Sequence, residues 1–235
     1  MFGDVTSANV VGYQQVSANT GYTMMSPTFL GVGNAEGCTL DDLTVTGNTG
    51  DTKGAFRLRL LDNTGSYSTT YYWHNTAAGK FGWYRNAAGS TKVDGSTVPI
   101  AAGRGVWCEC ATENMKLQPA GQVNESLVVF DCNSGYTAAG NCTPVDLTLE
   151  DLSVTGNVGD TKGVFRLRLL DNTGAYSTTY YWHNTAAGKL GWYRNAAGST
   201  KVDGTTVPIT AGRGLWCECA ATGYKLNIPA PKLSK

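Results

Sequence analysis

The sequence predicts an all-β chain, built as two tandem homologous antiparallel β-sandwich domains, jelly-roll-like, of about eight strands each. Three observations carry this prediction. The chain repeats itself, apolar and polar residues alternate in short runs, and turn residues recur about every 8–12 positions. No window keeps a helical period.

The repeat is read directly. Residues 42–111 superimpose on residues 151–220, and only eight of the 70 pairs differ: Thr44/Ser153, Thr49/Val158, Ala55/Val164, Ser66/Ala175, Phe81/Leu190, Ser96/Thr205, Ala101/Thr210 and Val106/Leu215. Upstream, Gly21-Tyr22-Thr23 aligns with Gly135-Tyr136-Thr137 once five residues are dropped from the second copy. A period of about 110 residues exceeds a solenoid unit and suits a whole domain. The boundary is placed near Pro119-Ala120-Gly121, a turn-forming stretch, which gives domains 1–120 and 121–235. Among the differing pairs, Phe81/Leu190, Ala55/Val164 and Val106/Leu215 exchange apolar for apolar, so all three are expected in the core. The shared residues establish ancestry and do not single out functional positions.

Each strand follows from its pattern. In Phe56-Arg57-Leu58-Arg59-Leu60 the apolar residues fall on one face and the arginines on the other, a half-buried strand. Asp62-Asn63-Thr64-Gly65 reads as the turn after it. Residues 68–74, rich in Thr and aromatics, form the next strand, and residues 81–85 a third. Asn75-Thr76-Ala77-Ala78-Gly79 and Asn86-Ala87-Ala88-Gly89 are turns. Residues 103–110 and 115–118 complete the set, and Asp41-Asp42 and Glu150-Asp151 read as solvated strand starts.

Composition limits the function. Lys plus Arg and Asp plus Glu both total 18, only 15% of residues are charged, and 41% are hydrophobic. There is no basic footprint for nucleic acid and no polybasic run for a membrane surface. No stretch approaches the roughly 20 apolar residues of a membrane helix, so no membrane insertion is expected. Met-Phe-Gly-Asp-Val-Thr has neither the basic start nor the apolar core of a signal peptide, which does not make the chain cytosolic.

The densest aromatic cluster is Tyr71-Tyr72-Trp73-His74 with Trp83-Tyr84-Arg85, repeated as Tyr180-Tyr181-Trp182-His183 with Trp192-Tyr193-Arg194. Strand alternation puts Tyr72 and His74 on the face opposite Tyr71 and Trp73. The ligand-binding candidates are therefore Tyr72, His74, Tyr84 and Arg85, with Tyr181, His183, Tyr193 and Arg194 in the second copy. Such rings stack against a sugar or another flat amphipathic ligand, while His and Arg supply hydrogen bonds. The competing reading makes Trp73 and Trp83 core and Tyr72 part of a cross-strand ladder. No hydrolase elbow, zinc-protease or P-loop pattern occurs, so no catalytic residue, metal or cofactor is assigned and the chain is read as a non-enzyme. Arg57 and Arg59 are expected to pair across strands with an acidic residue.

The seven cysteines cannot all pair with one another. Cys108 and Cys110 share one strand face with parallel Cβ vectors, which disfavours a bond between them and suits small core residues. Cys217 and Cys219 repeat the motif. Cys132 and Cys142 occur only in the second copy, are expected to flank a hairpin, and are the disulfide candidates.

Ala8-Asn9-Val10-Val11-Gly12-Tyr13, followed by Gly21-Tyr22-Thr23 and Ser26-Pro27-Thr28-Phe29, resembles the start of secreted bacterial β-repeat proteins of unassigned function. Tyr71-Tyr72-Trp73, Gly82-Trp83-Tyr84 and the Gly103-Arg104-Gly105-Val106 strand extend the resemblance over most of the first copy. The second copy lacks this opening and has residues 125–130 in its place. The resemblance implies a secreted or cell-surface location and no particular activity. The expectation is an extracellular structural or interaction module, whose partner is a glycan or cell-envelope component or another copy of itself. The alternative is a bivalent, lectin-like carbohydrate-binding module using both aromatic clusters.

Overall fold

A computed structural model describes residues 11–47, 52–61, 67–156, 163–170 and 176–232. The Ala8-Asn9-Val10 opening, the Asp62-Asn63-Thr64-Gly65 turn and the pairs Thr49/Val158 and Ser66/Ala175 lie wholly or partly outside the described residues. The chain is all-β with several antiparallel sheets.

In the first copy the strands are β1 (Val11–Tyr13), β2 (Val16–Ala18), β3 (Gly21–Met25), β4 (Gly37–Thr39), β5 (Leu43–Gly47), β6 (Thr52–Leu61), β7 (Tyr67–Asn75), β8 (Phe81–Tyr84), β9 (Pro99–Ala101), β10 (Val106–Cys110) and β11 (Met115–Gln122). The second copy continues with β12 (Val128–Cys132), β13 (Gly135–Gly140), β14 (Leu147–Thr148), β15 (Ser153–Gly156), β16 (Phe165–Leu170), β17 (Tyr176–Asn184), β18 (Leu190–Tyr193), β19 (Pro208–Ile209), β20 (Gly214–Cys219) and β21 (Tyr224–Ile228). The five-stranded sheet β3-β10-β6-β7-β8 recurs as β13-β20-β16-β17-β18. Opposite it, β11 pairs with β1, β2 and β5, and β21 with β12 and β15.

Alternation sets the core. Phe56, Leu58, Val106 and Cys108 are fully buried, and Cys110 is nearly so. They meet Ala18, Val45, Met115 and Leu117 from the opposing strands in one cluster. A second cluster repeats this with Phe165, Leu167, Leu215 and Leu226. Trp73 and Trp83 sit inside with centroids 5.1 Å apart, edge to face, and the Trp83 indole N–H donates to the Leu43 carbonyl at 2.8 Å.

Four expectations need correction. Phe81 and Leu190 are each 57% exposed. They stand on the lip of the β7–β8 and β17–β18 hairpins, where Phe81 rests edge-on against Trp73 at 5.2 Å. The swap is tolerated because the site is open. Val106 and Leu215 are fully buried, and Ala55 and Val164 pack at the core edge.

Pro119-Ala120-Gly121 is strand rather than turn, since β11 runs on to pair Ala120 with Tyr13 and Gly121 with Gly12. The missing proline N–H does no harm to that pairing, because Pro119 still offers its carbonyl to the Gln14 N–H.

Cys132 and Cys142 do not flank a hairpin. Strand β12 pairs with β21 and β13 with β20, so the two join different sheets. Between the cysteines β13 advances about 3.3 Å per residue, which carries Cys142 well past the roughly 7 Å Cα limit of a disulfide. All seven cysteines are buried free thiols.

Asp42 and Asp151 lie in 3-10 turns, not strand starts. The Asp42 carboxylate accepts the Thr39 N–H and hydroxyl at 2.7 and 2.9 Å, a capping arrangement that spends its lone pairs on the backbone.

The copies meet around a pseudo-two-fold axis. Met25 bridges Arg213 and Ala139 bridges Arg104, positions equivalent under the repeat. The Ser26 N–H donates to the Gly212 carbonyl at 2.8 Å, and the Gly140 N–H to the Gly103 carbonyl at 2.9 Å. Met24, Leu61, Ala138 and Leu170 are buried there beside Trp107 and Trp216. The approach is close enough that a Cβ on Gly105 would lie 3.0 Å from the Ala139 nitrogen, so a side chain there meets backbone.

Candidate functional site

The aromatic cluster divides between two faces. Cross-strand pairing sets Tyr72 opposite Tyr84, Trp73 opposite Trp83 and His74 opposite Gly82. Tyr72, His74 and Tyr84 therefore share the outward face of the sheet, as alternation predicts, but only Tyr72 is partly open. His74 is 1% exposed and Tyr84 is buried, because the turn at residues 86–89 folds over them.

His74 pins that turn. Its Nε2–H donates to the Asn86 carbonyl at 3.3 Å, and its ring lies against Tyr84 at 4.8 Å. Gly89 makes room for it: φ is +62° and a Cβ would fall 2.8 Å from the imidazole Cε1. Burial holds the imidazole below its ordinary pKa, the Asn86 carbonyl opposes that shift, and Lys80 adds to it. His183, Tyr193 and Gly198 repeat this arrangement with His183 Nε2 at 3.3 Å from the Asn195 carbonyl. Arg85 points away from Tyr72 and covers the Tyr71 ring at 5.0 Å, as Arg194 covers Tyr180. The four candidates of each copy thus do not converge on one open groove.

Beside each histidine lies a cavity, about 340 Å³ at His74 and about 380 Å³ at His183. Ala77, Ala78, Ala87 and Ala88 form its walls, and Lys80 Nζ donates to the Ala88 carbonyl at 2.8 Å. These are methyl-lined recesses between two turns, whose cation is already engaged by a backbone carbonyl.

The open surface lies elsewhere on the same face. Val106, Cys108 and Cys110 point inward, so Trp107 and Glu109 point out. Tyr22 of β3 lies beside Trp107 at 5.6 Å, Trp107 faces Trp216 at 6.5 Å across the pseudo-two-fold axis, and Trp216 meets Tyr136 at 5.5 Å. These four rings form one stripe whose end members, Tyr22 and Tyr136, are 42% and 38% exposed. On each side stands an ion cluster. Glu109 accepts from Arg57 at 3.1 Å and from Arg59 at 2.6 Å, while Arg57 also lies over Tyr72 at 5.6 Å. Glu218 accepts likewise from Arg166 and Arg168. This is the expected pairing of the arginines with an acid across strands. The stripe itself escaped the sequence reading. The alternation in Trp107-Cys108-Glu109-Cys110 carries half of the signal, but the neighbour Tyr22 is distant in sequence and Trp216 belongs to the other copy.

The cysteines gather in the second copy. Cys132 occupies the position of Ala18, since Ala18 pairs with Met115 as Cys132 pairs with Tyr224. Cys132 shares the buried core with Cys217 and Cys219 and its thiol donates to the Phe130 carbonyl at 3.7 Å; the two neighbouring thiols hold its pKa below the ordinary thiol value, whereas Cys217 and Cys219 are raised. Burial pushes Cys38 up to about 12 and Cys142 to about 11. Among the described residues no group of three or more His, Cys, Asp or Glu could hold a metal ion.

No known protein family, curated protein or solved structure matches this chain.

Proposed function

We propose that the chain is a secreted or cell-surface structural and interaction module, made of two jelly-roll-like β-sandwich repeats, that acts by presenting one composite surface to an envelope component. The observation that carries this reading is the pseudo-two-fold contact between the copies. Equivalent backbone groups bond across it and the outward faces of both large sheets merge at Trp107 and Trp216. An isologous contact of this kind makes a shared face rather than two separate heads. No catalytic role is proposed: the only histidines are committed to holding turns.

The reading is tested by sedimenting the full chain alone and with washed bacterial envelope fractions. Co-sedimentation or concentration-dependent self-association is the expected outcome. A protein that stays monomeric and leaves the envelope pellet empty overturns it.

A lectin-like activity remains the second reading, favoured by the exposed ring stripe. It moves from the predicted Tyr72, His74, Tyr84 and Arg85 cluster to the axis, and becomes one site instead of two.

A further inference from the structure

We infer that Cys132 is the site of a disulfide that ties the two sheets of the second copy together, bonding to one of two β20 thiols, Cys217 or Cys219. Strand β12, which carries Cys132, belongs to the sheet of β21, whereas β20 belongs to the sheet of β13 and β16. The two strands nevertheless approach to within 8 Å between Cα atoms. A disulfide joins Cα atoms up to roughly 7 Å apart, so strands this near are within a small adjustment of one. Cys132, Cys217 and Cys219 lie in one core cluster, each no more than 2% exposed. A bond between Cys217 and Cys219 is disfavoured, because on one strand face their Cβ vectors run parallel. Cys132 comes from the opposing layer and interacts with both.

The first copy shows what the third thiol adds. It has the same β-strand pair, Cys108 and Cys110, but Ala18 stands where the second copy has Cys132. Its smaller sheet has four strands, with β1 added along β11, while the smaller sheet of the second copy has three. The extra sulfur is thus found in the copy with the thinner sheet, and a covalent tie from β12 to β20 holds that sheet in place.

The oxidant is a disulfide, small or carried by a protein. The Cys132 thiolate attacks it, breaking its S–S bond and releasing one thiol that takes up the proton. The β20 thiol, deprotonated in turn, attacks the mixed disulfide at the Cys132 sulfur and releases the second thiol. Two protein thiols are oxidised by two electrons and the donor disulfide is reduced to two thiols. Since all three sulfurs are buried, the exchange takes place as the chain folds, before the sheets close.

The full chain is unfolded with denaturant and reductant, then refolded in mixed reduced and oxidised glutathione. Free thiols are alkylated and linked peptides are mapped by mass. The expected result is a loss of two hydrogens per chain, with Cys132 linked to Cys217 or Cys219 and the remaining cysteines alkylated. The linked protein should melt about 5 °C or more above its reduced form. Cys132→Ala, which copies the first repeat, should lose both the link and the effect of reductant. Ala18→Cys, which completes the same trio in the first copy, should lose four hydrogens and link residue 18 to Cys108 or Cys110.

Recovery of Cys132 alkylated, or linked to Cys38 or Cys142, overturns the inference. So does a melting temperature that responds to reductant as strongly in Cys132→Ala as in the wild type. Loss of only two hydrogens in Ala18→Cys would also sink it, because the facing position would then not make the bond.

Discussion

His74 shows how a residue type common in active sites is put to structural use. The imidazole needs a partner once buried, and the Asn86 carbonyl provides one while Gly89 yields space. Because its pKa is lowered by burial, the folded protein keeps His74 neutral while the unfolded chain takes up a proton near its ordinary value of about 6.5. The stability it contributes is complete above about pH 6.5 and is lost as the pH falls toward the lower folded value. Thermal melts between pH 7.5 and 5 should show a falling transition that flattens in His74→Gln; an unchanged slope would refute the assignment. Cys132 offers a second test at this scale. Since Ala18 fills the equivalent place in the first copy, Cys132→Ala should cost no more than about 1 kcal/mol in chemical denaturation of the reduced protein. A cost of several kcal/mol would mean that the contact with Cys217 and Cys219 is essential to the fold.

At the scale of elements, the strand pattern decides which faces are buried, and hairpin position decides which ends are not. Leu58 lies mid-strand on β6 with no exposure, so Leu58→Ala should cost about 2–5 kcal/mol. Phe81 opens β8 at 57% exposure, and Phe81→Ser should stay within about 1 kcal/mol, its contact with the Trp73 edge being the only loss in view. Urea midpoints of the two variants distinguish these positions, and similar values for both would count against the burial pattern. The alternation was legible from residues 56–60, and the inward Cys108 and Cys110 from the motif around them. The roles of Pro119 and of Cys132 with Cys142 were not. A strand that changes sheets between neighbours leaves no mark in local composition, and spacing alone cannot tell a hairpin from a crossing between sheets.

For the whole molecule, the contact between copies is what turns two repeats into one surface. Met24 is 4% exposed there, packed with Leu61, Ala138 and Leu170. Met24→Lys places a charge in this apolar cluster, which is costly unless the copies part. Calorimetry should then resolve two unfolding transitions in place of a more cooperative one, with each core still folding. A single transition of unchanged width would show that the copies are coupled through something other than this cluster. The aromatic stripe depends on the same contact, so a variant that parts the copies should also separate Trp107 from Trp216 and shift the tryptophan emission.

By itself the sequence determined the all-β class, the duplication and the inward set of each main strand, and it led to the expected pairing of Arg57 and Arg59 with an acid across the sheet; it left open whether Trp73 and Trp83 are core, which the structure decided. The features it determined follow from a period of two and from near-identity between copies, both local properties that survive without knowledge of neighbours. Tertiary structure alone decided that His74 and Tyr84 lie beneath a turn, that Cys132 meets Cys217 and Cys219, and that Tyr22, Trp107, Trp216 and Tyr136 share one open face. Each of these depends on which strand lies beside which. Strand partners far apart in sequence, and a contact between two copies, are set by long-range packing that no stretch of residues encodes on its own.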